Sequence, residues 1–537
     1  MWSEILGRKE DDPLSVLADF FAAGGTSLQV FRVNAAMQKA LGIDGIPPTL
    51  LHTNRTARAT AAALAELSGS DAKYTPITAH DRSNSIRPLS SNQEQMWVLA
   101  QTGGSAAYNM PFALALEGTI DVAVLQSALD YVASRHDVLR MHYIEIEGAP
   151  AGKIEDVESF HVPLRVQSFA SREDVLAAVN EEAATVFDFS RVLIRVFLAT
   201  ADDGSLNALT INLHHAVGDL WSWNILKKEL SAAYSALASG ASPSLPALPI
   251  QYSDFASWQK EQLAGDAAVK ADEHWRNQLG GAPSMLQLPA DRPRPHAPTY
   301  DAGTYALDLP HGLVDRANTV ARDLRVNLQA LLLSAAQLVL MRYSGQDDIV
   351  VGMPAAGRDR PETQELIGYF INTVPVRGQI YEEDSFVDLA KRTSKNVVEG
   401  LENSFLPFSR VVDVAGVERI PNVNPLFQVL FQYISGSDLK EGTLAFGDVK
   451  TASVPRKGQA KAKMDMFISL GYSKVHIEYM SELFDESTIS RIASSLVNAL
   501  VKIAERPDAK LSEISLLGEA DRQAVVAFAT PELRPQY

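Results

Sequence analysis

Between residues 207 and 234 the chain changes its hydrophobic period. Leu209, Ile211 and Leu213 alternate with Thr210, Asn212 and His214, which predicts a strand with one face buried. Ile225, Leu226, Leu230 and Tyr234 then recur at helical spacing, and Asp219 or Ser222 stands where a helix needs its cap. Between the two patterns lies His214-His215-Ala216-Val217-Gly218-Asp219. Two imidazoles and a carboxylate are thus gathered at a strand-to-helix turn. If the strand runs to its end, His215 shares the side of the apolar residues and sits in a partly dry interior.

Residues 1–68 read as a small helical unit. A first helix covers Trp2 to Leu6, followed by a loop with Asp11, Asp12 and Pro13. A second begins near Ser27, puts Leu28, Phe31 and Ala35 on one face, and stops at Lys39-Ala40-Leu41-Gly42. Pro47-Pro48 breaks the chain, and an alanine-rich helix from Thr56 to Leu67 closes the unit. The aperiodic stretch that follows, rich in Ser, Pro, Asn and Asp, predicts a linker at 69–86. Helical and strand patterns then alternate through 87–515. A Pro-rich crossing at 280–303 divides this large unit into lobes at about 87–265 and about 300–515. No internal repeat of fixed period is evident.

Composition narrows the class. The 537 residues are 46% hydrophobic and 21% charged, and the net charge of −17 argues against a nucleic-acid or anionic-membrane partner. The absence of cysteine excludes disulfides and thiolate metal sites. The opening residues lack a basic-then-apolar signal pattern, and the greasiest run, 328–341, is short and interrupted by Gln329, Ser334 and Gln337. The expectation is a soluble cytoplasmic chain with no membrane partner.

The chemistry offered at the turn is proton transfer, for which a histidine with an ordinary pKa near 6.5 is well matched at neutral pH. A buried histidine pair filling a core, with Asp219 as a plain cap, reads the same way, so the motif alone does not decide. A metal site is disfavoured, because adjacent histidines point to opposite strand faces. In the small unit, Ser27 follows Gly24-Gly25-Thr26. The glycines free the backbone for a sharp turn, and a helix start favours an anionic group. An ordinary N-cap serine would look alike, and Gln29 breaks the Gly-x-Ser-x-Gly pattern of a hydrolase elbow.

The longer string Asp19-Phe20-Phe21-Ala22-Ala23-Gly24-Gly25-Thr26-Ser27-Leu28 resembles the peptidyl carrier domains of nonribosomal peptide synthetases. The resemblance implies that Ser27 carries 4′-phosphopantetheine, attached by a phosphopantetheinyl transferase. Thr26 departs from the His or Asp frequent in that family.

His-His-x-x-x-Asp resembles the signature of the condensation domains of the same synthetases, and six further stretches follow the family's order: 90–97, 135–140, 252–259, 367–373, 406–408 and 424–429. Gln95 stands in the first where arginine is usual, and Leu220 where glycine usually follows the aspartate. The resemblance implies an all-α carrier bundle followed by an α/β, two-lobed chloramphenicol-acetyltransferase-like unit that joins a donor thioester to an acceptor amine. It makes His215 the residue that bonds the attacking amine, as base or by positioning it. His214 is then structural, and Asp219 pairs with an arginine, for which Arg135 or Arg140 is expected. Leu220 is expected to narrow a channel or alter the turn. The string Ser105-Ala106-Ala107-Tyr108-Asn109-Met110-Pro111 resembles the subtype accepting an L-configured donor. Residues 516–537 resemble the lead into an adenylation domain, so upstream and downstream synthetase domains, including an acceptor carrier, are the implied partners, with aminoacyl or peptidyl thioesters as substrates. Two alternatives stand: an epimerisation domain of the same fold, and a non-catalytic docking platform for a partner enzyme. Retention of His215 and Asp219 speaks against the platform.

Overall fold

The computed structural model describes residues 1–8, 14–21, 23–25, 27–41, 46–47, 49–67, 76–296, 299–381, 383–435, 444–454, 461–518, 522–523 and 525–526. The expected features at 11–13, Ala22, Thr26, Gly42, Pro48, 68–75, Pro298, 519–521 and 527–537 lie outside these residues, as do the side chains of Ser27 and Leu28.

The small unit is helical, with helices Trp2–Ile5, Ser27–Leu41, Leu50–Thr53 and Ala57–Leu67. Its core joins Phe20, Val30, Val33, Met37, Leu51 and Leu64. The core face of the Ser27–Leu41 helix therefore runs through Val30, Val33 and Met37, not through Phe31 and Ala35. Phe31 faces a cavity shared with the lobes instead.

In the first lobe the strands are β1 (Ile86–Arg87), β2 (Asn109–Glu117), β3 (Met141–Ile146), β4 (Ala149–Ile154), β5 (Leu164–Phe169), β6 (Ile194–Ala201) and β7 (Asn207–His214). Later in the chain come β8 (Ala302–Asp308), β9 (Asp348–Ala355), β10 (Asn372–Gln379), β11 (Val429–Tyr433), β12 (Lys450–Ser453), β13 (Met466–Leu470) and β14 (Lys474–Met480). The second lobe is built on a six-stranded sheet of order β10-β9-β11-β13-β14-β8, with β11 parallel to both neighbours. The first holds a five-stranded sheet of order β12-β2-β7-β6-β5 and a small β1-β4-β3 sheet.

Strand β12 is coded late yet pairs with β2 at the edge of the first lobe's sheet. The first lobe's core likewise takes Leu366, Ile367, Phe370 and Phe446 from the second half of the chain. The lobes are therefore laced together, a feature that breaks in composition do not reveal. The apolar run 328–341 forms the buried helix Leu328–Ser344 at the centre of the second lobe. Its Gln337 is satisfied by the Val376 carbonyl and the Thr393 hydroxyl, as a buried amide must be. Among the described residues no single helix is long and apolar enough to cross a membrane.

Strand β7 departs from the half-buried expectation: Thr210, Asn212 and His214 are as buried as Leu209, Ile211 and Leu213. One side packs into the main core, which includes the helices Val122–Arg135 and Leu220–Ala238. The helix Arg172–Ala184 covers the other, and Asn212 Nδ2 donates to its Glu182 carbonyl at 3.0 Å. Period-two alternation reports polarity, and here the polar face is covered as well.

The helical unit sits against both lobes. The Thr49 hydroxyl donates to Glu402 Oε1 at 2.6 Å, Arg55 Nη1 donates to the Val326 carbonyl at 2.9 Å, and the Arg32 guanidinium lies 4.9 Å from the centre of the Trp221 ring. Contacts of these kinds each contribute about 1 kcal/mol. The double variant Arg32→Ala/Glu402→Ala is therefore expected to shift the docked-to-free ratio of the helical unit by about tenfold or more. Small-angle scattering checks this as an increase in radius of gyration without loss of helical circular dichroism.

Candidate active site between the lobes

Strand β7 stops at His214, and the chain turns through a short 3₁₀ segment, His215–Val217, into the helix Leu220–Ala238. The turn separates the two imidazoles. His214 is fully buried between the rings of Phe187 and Phe189, with centroids 5.8 and 5.0 Å away. Its Nδ1 accepts from the Ala216 amide at 3.1 Å, so the proton is on Nε2, which donates to the Ser105 carbonyl at 3.1 Å. Burial holds its pKa down at about 4, helped by the Lys463 and Arg195 charges. His214 is a neutral structural residue.

His215 lies where the lobes meet, its ring reached by Lys463 of the second lobe. Its Nδ1–H donates to the Gly218 carbonyl at 3.2 Å, which leaves the Nε2 lone pair directed away from its own turn. Three side chains surround the ring: Tyr108 edge-on at 6.0 Å, Tyr369 at 5.3 Å, and Lys463, whose Nζ lies 3.0 Å from Nε2. Burial, then the Lys463 ammonium, then His214 push the His215 pKa well below the ordinary imidazole value. The imidazole is neutral at pH 7.

Asp219 does not touch either histidine. Its Oδ1 accepts from the Ser222 amide and hydroxyl, both at 2.8 Å, and caps the helix. Its ion partner is Arg358, whose Nη2 donates to Oδ1 at 3.1 Å. Oδ2 accepts from the Phe370 amide at 3.2 Å. Arg358 is wholly buried, stacks 4.0 Å over Phe370, and donates from Nη1 to the Thr363 and Leu366 carbonyls at 2.6 and 2.8 Å. The expected pairing with Arg135 or Arg140 is thus corrected. Arg135 bonds Glu229 at 3.1 and 3.2 Å; Arg140 bonds Asp137 at 2.8 Å, the Ala133 carbonyl at 3.0 Å and the Glu155 carbonyl. Both clamp the helix Val122–Arg135 to its neighbours. Arg358 lies 139 residues after Asp219, beyond the reach of any local pattern, in the unremarkable string Gly357-Arg358-Asp359.

Other stretches singled out in sequence support this turn. Gln93 Nε2 donates to the Ala216 carbonyl at 3.2 Å, and Asn92 Nδ2 to the Ile371 carbonyl at 2.9 Å. The Tyr252 hydroxyl donates to the Tyr369 carbonyl at 2.6 Å. Gly368 passes so close to Tyr252 that a Cβ would stand 2.0 Å from its ring, which is why only glycine fits there. Gln95 is exposed. Asn372 bonds the Ser404 and Leu406 carbonyls at 2.7 and 2.6 Å.

A cavity of about 230 Å³ joins the helical unit to the lobes. Phe21, Gly24 and Gly25 line one end, ahead of the helix that Ser27 opens, and Asp219, Leu220 and Ala355 line the other. Leu220 takes the first position of its helix without altering the cap, is 60% exposed, and lines this cavity. Asn224, Asn318, Asn327, Gln329 and Gln432 stand among mostly apolar lining residues. That donor set fits a flexible arm bearing amides, such as phosphopantetheine. Among the described residues no cluster could hold a metal ion.

Two outcomes follow from the buried charges. Arg358→Ala strands the Asp219 carboxylate and is expected to cost about 3–5 kcal/mol of stability; in urea denaturation, adding Asp219→Ala should restore part of the loss. Glu229, though buried, is held below the usual carboxylate range because bonds from His136 and Arg135 outweigh desolvation. A depressed acid stabilises the fold above its unfolded pKa, near 4.3, and loses that contribution as pH falls through the lowered folded value. Glu229→Gln is expected to cost about 3 kcal/mol at pH 7, with a gap from the wild type that closes on acidification below about pH 4.

A family model for the condensation domain matches residues 83–526, and one for the phosphopantetheine attachment site matches residues 1–64. A linear gramicidin synthase from Brevibacillus parabrevis is 32% identical over 98% of this chain and 7% of its own length. Phosphinothricin tripeptide synthetase PhsB of Streptomyces viridochromogenes is also 32% identical, over 98% of this chain and 45% of its own length. The chain thus spans less than half the length of either relative. Among solved structures, the X-domain from teicoplanin biosynthesis, in complex with OxyB, is 25% identical with a TM-score of 0.75, covering 84% of this chain and 100% of that one. The first condensation domain of the calcium-dependent antibiotic synthetase, in complex with a substrate analogue, shares the fold at a TM-score of 0.64, with 19% identity and coverage of 81% and 100%. Because the condensation model runs through both lobes and the attachment-site model through the helical unit before them, this chain belongs to the condensation domain family of nonribosomal peptide synthetases and carries a phosphopantetheine carrier unit in front of it.

Proposed function

We propose that this carrier–condensation segment forms an amide by transferring a donor acyl group, carried on Ser27, to the amine of an acceptor aminoacyl carrier. In this reading the carrier spans residues 1–68 and the condensation unit 87–515. A phosphopantetheinyl transferase loads Ser27, and upstream and downstream synthetase domains share the cytoplasm with the chain. The string 105–111 supports an L-configured donor.

The observation that carries the reading is the placement of His215 where the two lobes meet, a neutral imidazole whose Nδ1–H is spent on the Gly218 carbonyl and whose Nε2 already accepts a nitrogen donor, Lys463 of the second lobe. The phosphopantetheine arm, when attached, supplies a thiol that holds the donor as a thioester. His215 accepts a hydrogen bond from the acceptor amine and aims its nitrogen at the acyl carbon, which removes much of the entropy of encounter. So low a pKa makes His215 a weak base toward a free amine. It takes the proton late, once the nitrogen has bonded to carbon and become strongly acidic, and releases it to the leaving group. Asp219 and Arg358 act through the backbone by fixing the turn that aims the ring.

A docking-platform reading is favoured by the likeness to the X-domain solved with OxyB. Retention of His215 and Asp219 favours transfer.

The test loads Ser27 with a phosphopantetheine-linked dipeptide, offers an aminoacyl-loaded acceptor carrier, and follows both carriers by intact-protein mass spectrometry. Transfer is expected, slowed by about 10² or more in His215→Ala. Absence of transfer with α-proton exchange in deuterium oxide would indicate epimerisation, and silence in both assays the platform.

A further inference from the structure

Lys463 reaches His215 from the other lobe. It precedes β13, and the segment around it is firmly held: Lys461 bridges to Asp301 at 2.7 Å, the Ala462 amide donates to the Tyr300 carbonyl at 2.7 Å, and Arg294 Nη1 donates to Asp465 at 2.9 Å. Asn424 Nδ2 holds the Lys463 carbonyl itself at 3.3 Å. The flanking charges Lys461 and Asp465 thus have charged partners. Lys463 Nζ instead points at a neutral ring nitrogen, 3.0 Å away, and lies 5.3 Å from the centre of the Tyr108 ring.

An N–H donor on a histidine Nε2 makes the same hydrogen bond that an acceptor amine would make. The atom that the acceptor amine must bond is the one Lys463 already bonds. We propose that Lys463 is a positioning residue of the transfer site: its ammonium holds the acceptor's seat on His215, fixes the Nδ1–H tautomer by donating to Nε2, and gives way as the acceptor enters. This rests on the transfer reading above.

The electrostatics agree with the geometry. The titratable groups facing His215 are Lys463, His214, Tyr108 and Tyr369, and the Asp219–Arg358 pair behind the turn carries no net charge. Burial raises the Tyr108 phenol to about 12 and Tyr369 further, so both stay neutral and Lys463 is the cation beside the ring. Burial lowers Lys463 itself, and the Glu478 carboxylate of β14 opposes that shift. A desolvated ammonium is displaced more readily than one locked in an ion pair.

The test compares wild type, Lys463→Met and Lys463→Arg by two readouts. In protein labelled with ¹⁵N-histidine, with His215 assigned from His215→Gln, the ring is expected to titrate well below an ordinary imidazole in the wild type and about one pH unit or more higher in Lys463→Met. This readout needs no loaded carrier, so it stands even if no transfer occurs. In the transfer assay, the half-saturating concentration of acceptor carrier is expected to fall about threefold to tenfold in Lys463→Met, because a competitor for the seat is gone, while Lys463→Arg stays near the wild type in ring titration. An unchanged His215 titration in Lys463→Met overturns the proposal. So does a half-saturating concentration that is unchanged or raised, the signature of a merely structural lysine. If the ring titrates as expected while the wild type transfers to no acceptor, the transfer reading fails and the contact of Lys463 with His215 survives it.

Discussion

The buried ion pair of Asp219 and Arg358 is the constraint on which the site depends. Arg358 follows β9 and Asp219 follows β7, so the pair ties the end of one lobe's strand to the turn of the other. A wholly buried guanidinium is costly unless its charge and donors are satisfied. Here Asp219, Ser222 and the carbonyls of Thr363 and Leu366 take both Nη groups, while the buried Nε has no hydrogen-bond partner. The same carboxylate caps the helix Leu220–Ala238 and accepts from the Phe370 amide. One side chain therefore fixes the turn that carries His215 and the 367–371 loop that brings Tyr369 against it.

That turn explains why neighbouring histidines have opposite fates. Both are neutral, for related reasons, but the 3₁₀ segment starts between them. His214 keeps the direction of β7 and spends both nitrogens inside the fold, on Ala216 and Ser105. His215 leaves the strand, donates once to its own turn at Gly218, and presents its other nitrogen to Lys463 of the second lobe. Proton-transfer chemistry needs the second arrangement, and the first supplies the rigid wall behind it.

The helical unit is coupled to the same network through Trp221. Its indole N–H donates to the Gln364 carbonyl at 3.0 Å, and its ring lies near Arg32 of the helical unit and near Arg358 of the buried pair, 4.9 and 5.6 Å from its centre. The neighbouring Leu220 lines the cavity that begins at Gly24 and Gly25. The docking surface, the cavity wall and the N-cap are thus consecutive residues of one helix start.

The sequence by itself determined the elements and the chemistry of the turn. Period-two and helical spacing located β7 and the helix after it, and ordered motifs identified the family, because such patterns are local and survive without coordinates. The structure decided what depends on contacts across long separations. Arg358 rather than Arg135 or Arg140 meets Asp219, because pairing follows where buried backbone leaves room for a guanidinium, not proximity in sequence. The polar face of β7 is buried because the helix Arg172–Ala184 packs over it. Lys463 stands at His215 only because the loop before β13 crosses from the other lobe, 248 residues later in the chain. Hydrophobic period encodes which residues leave water; which of them then meet is set by how the lobes close on one another.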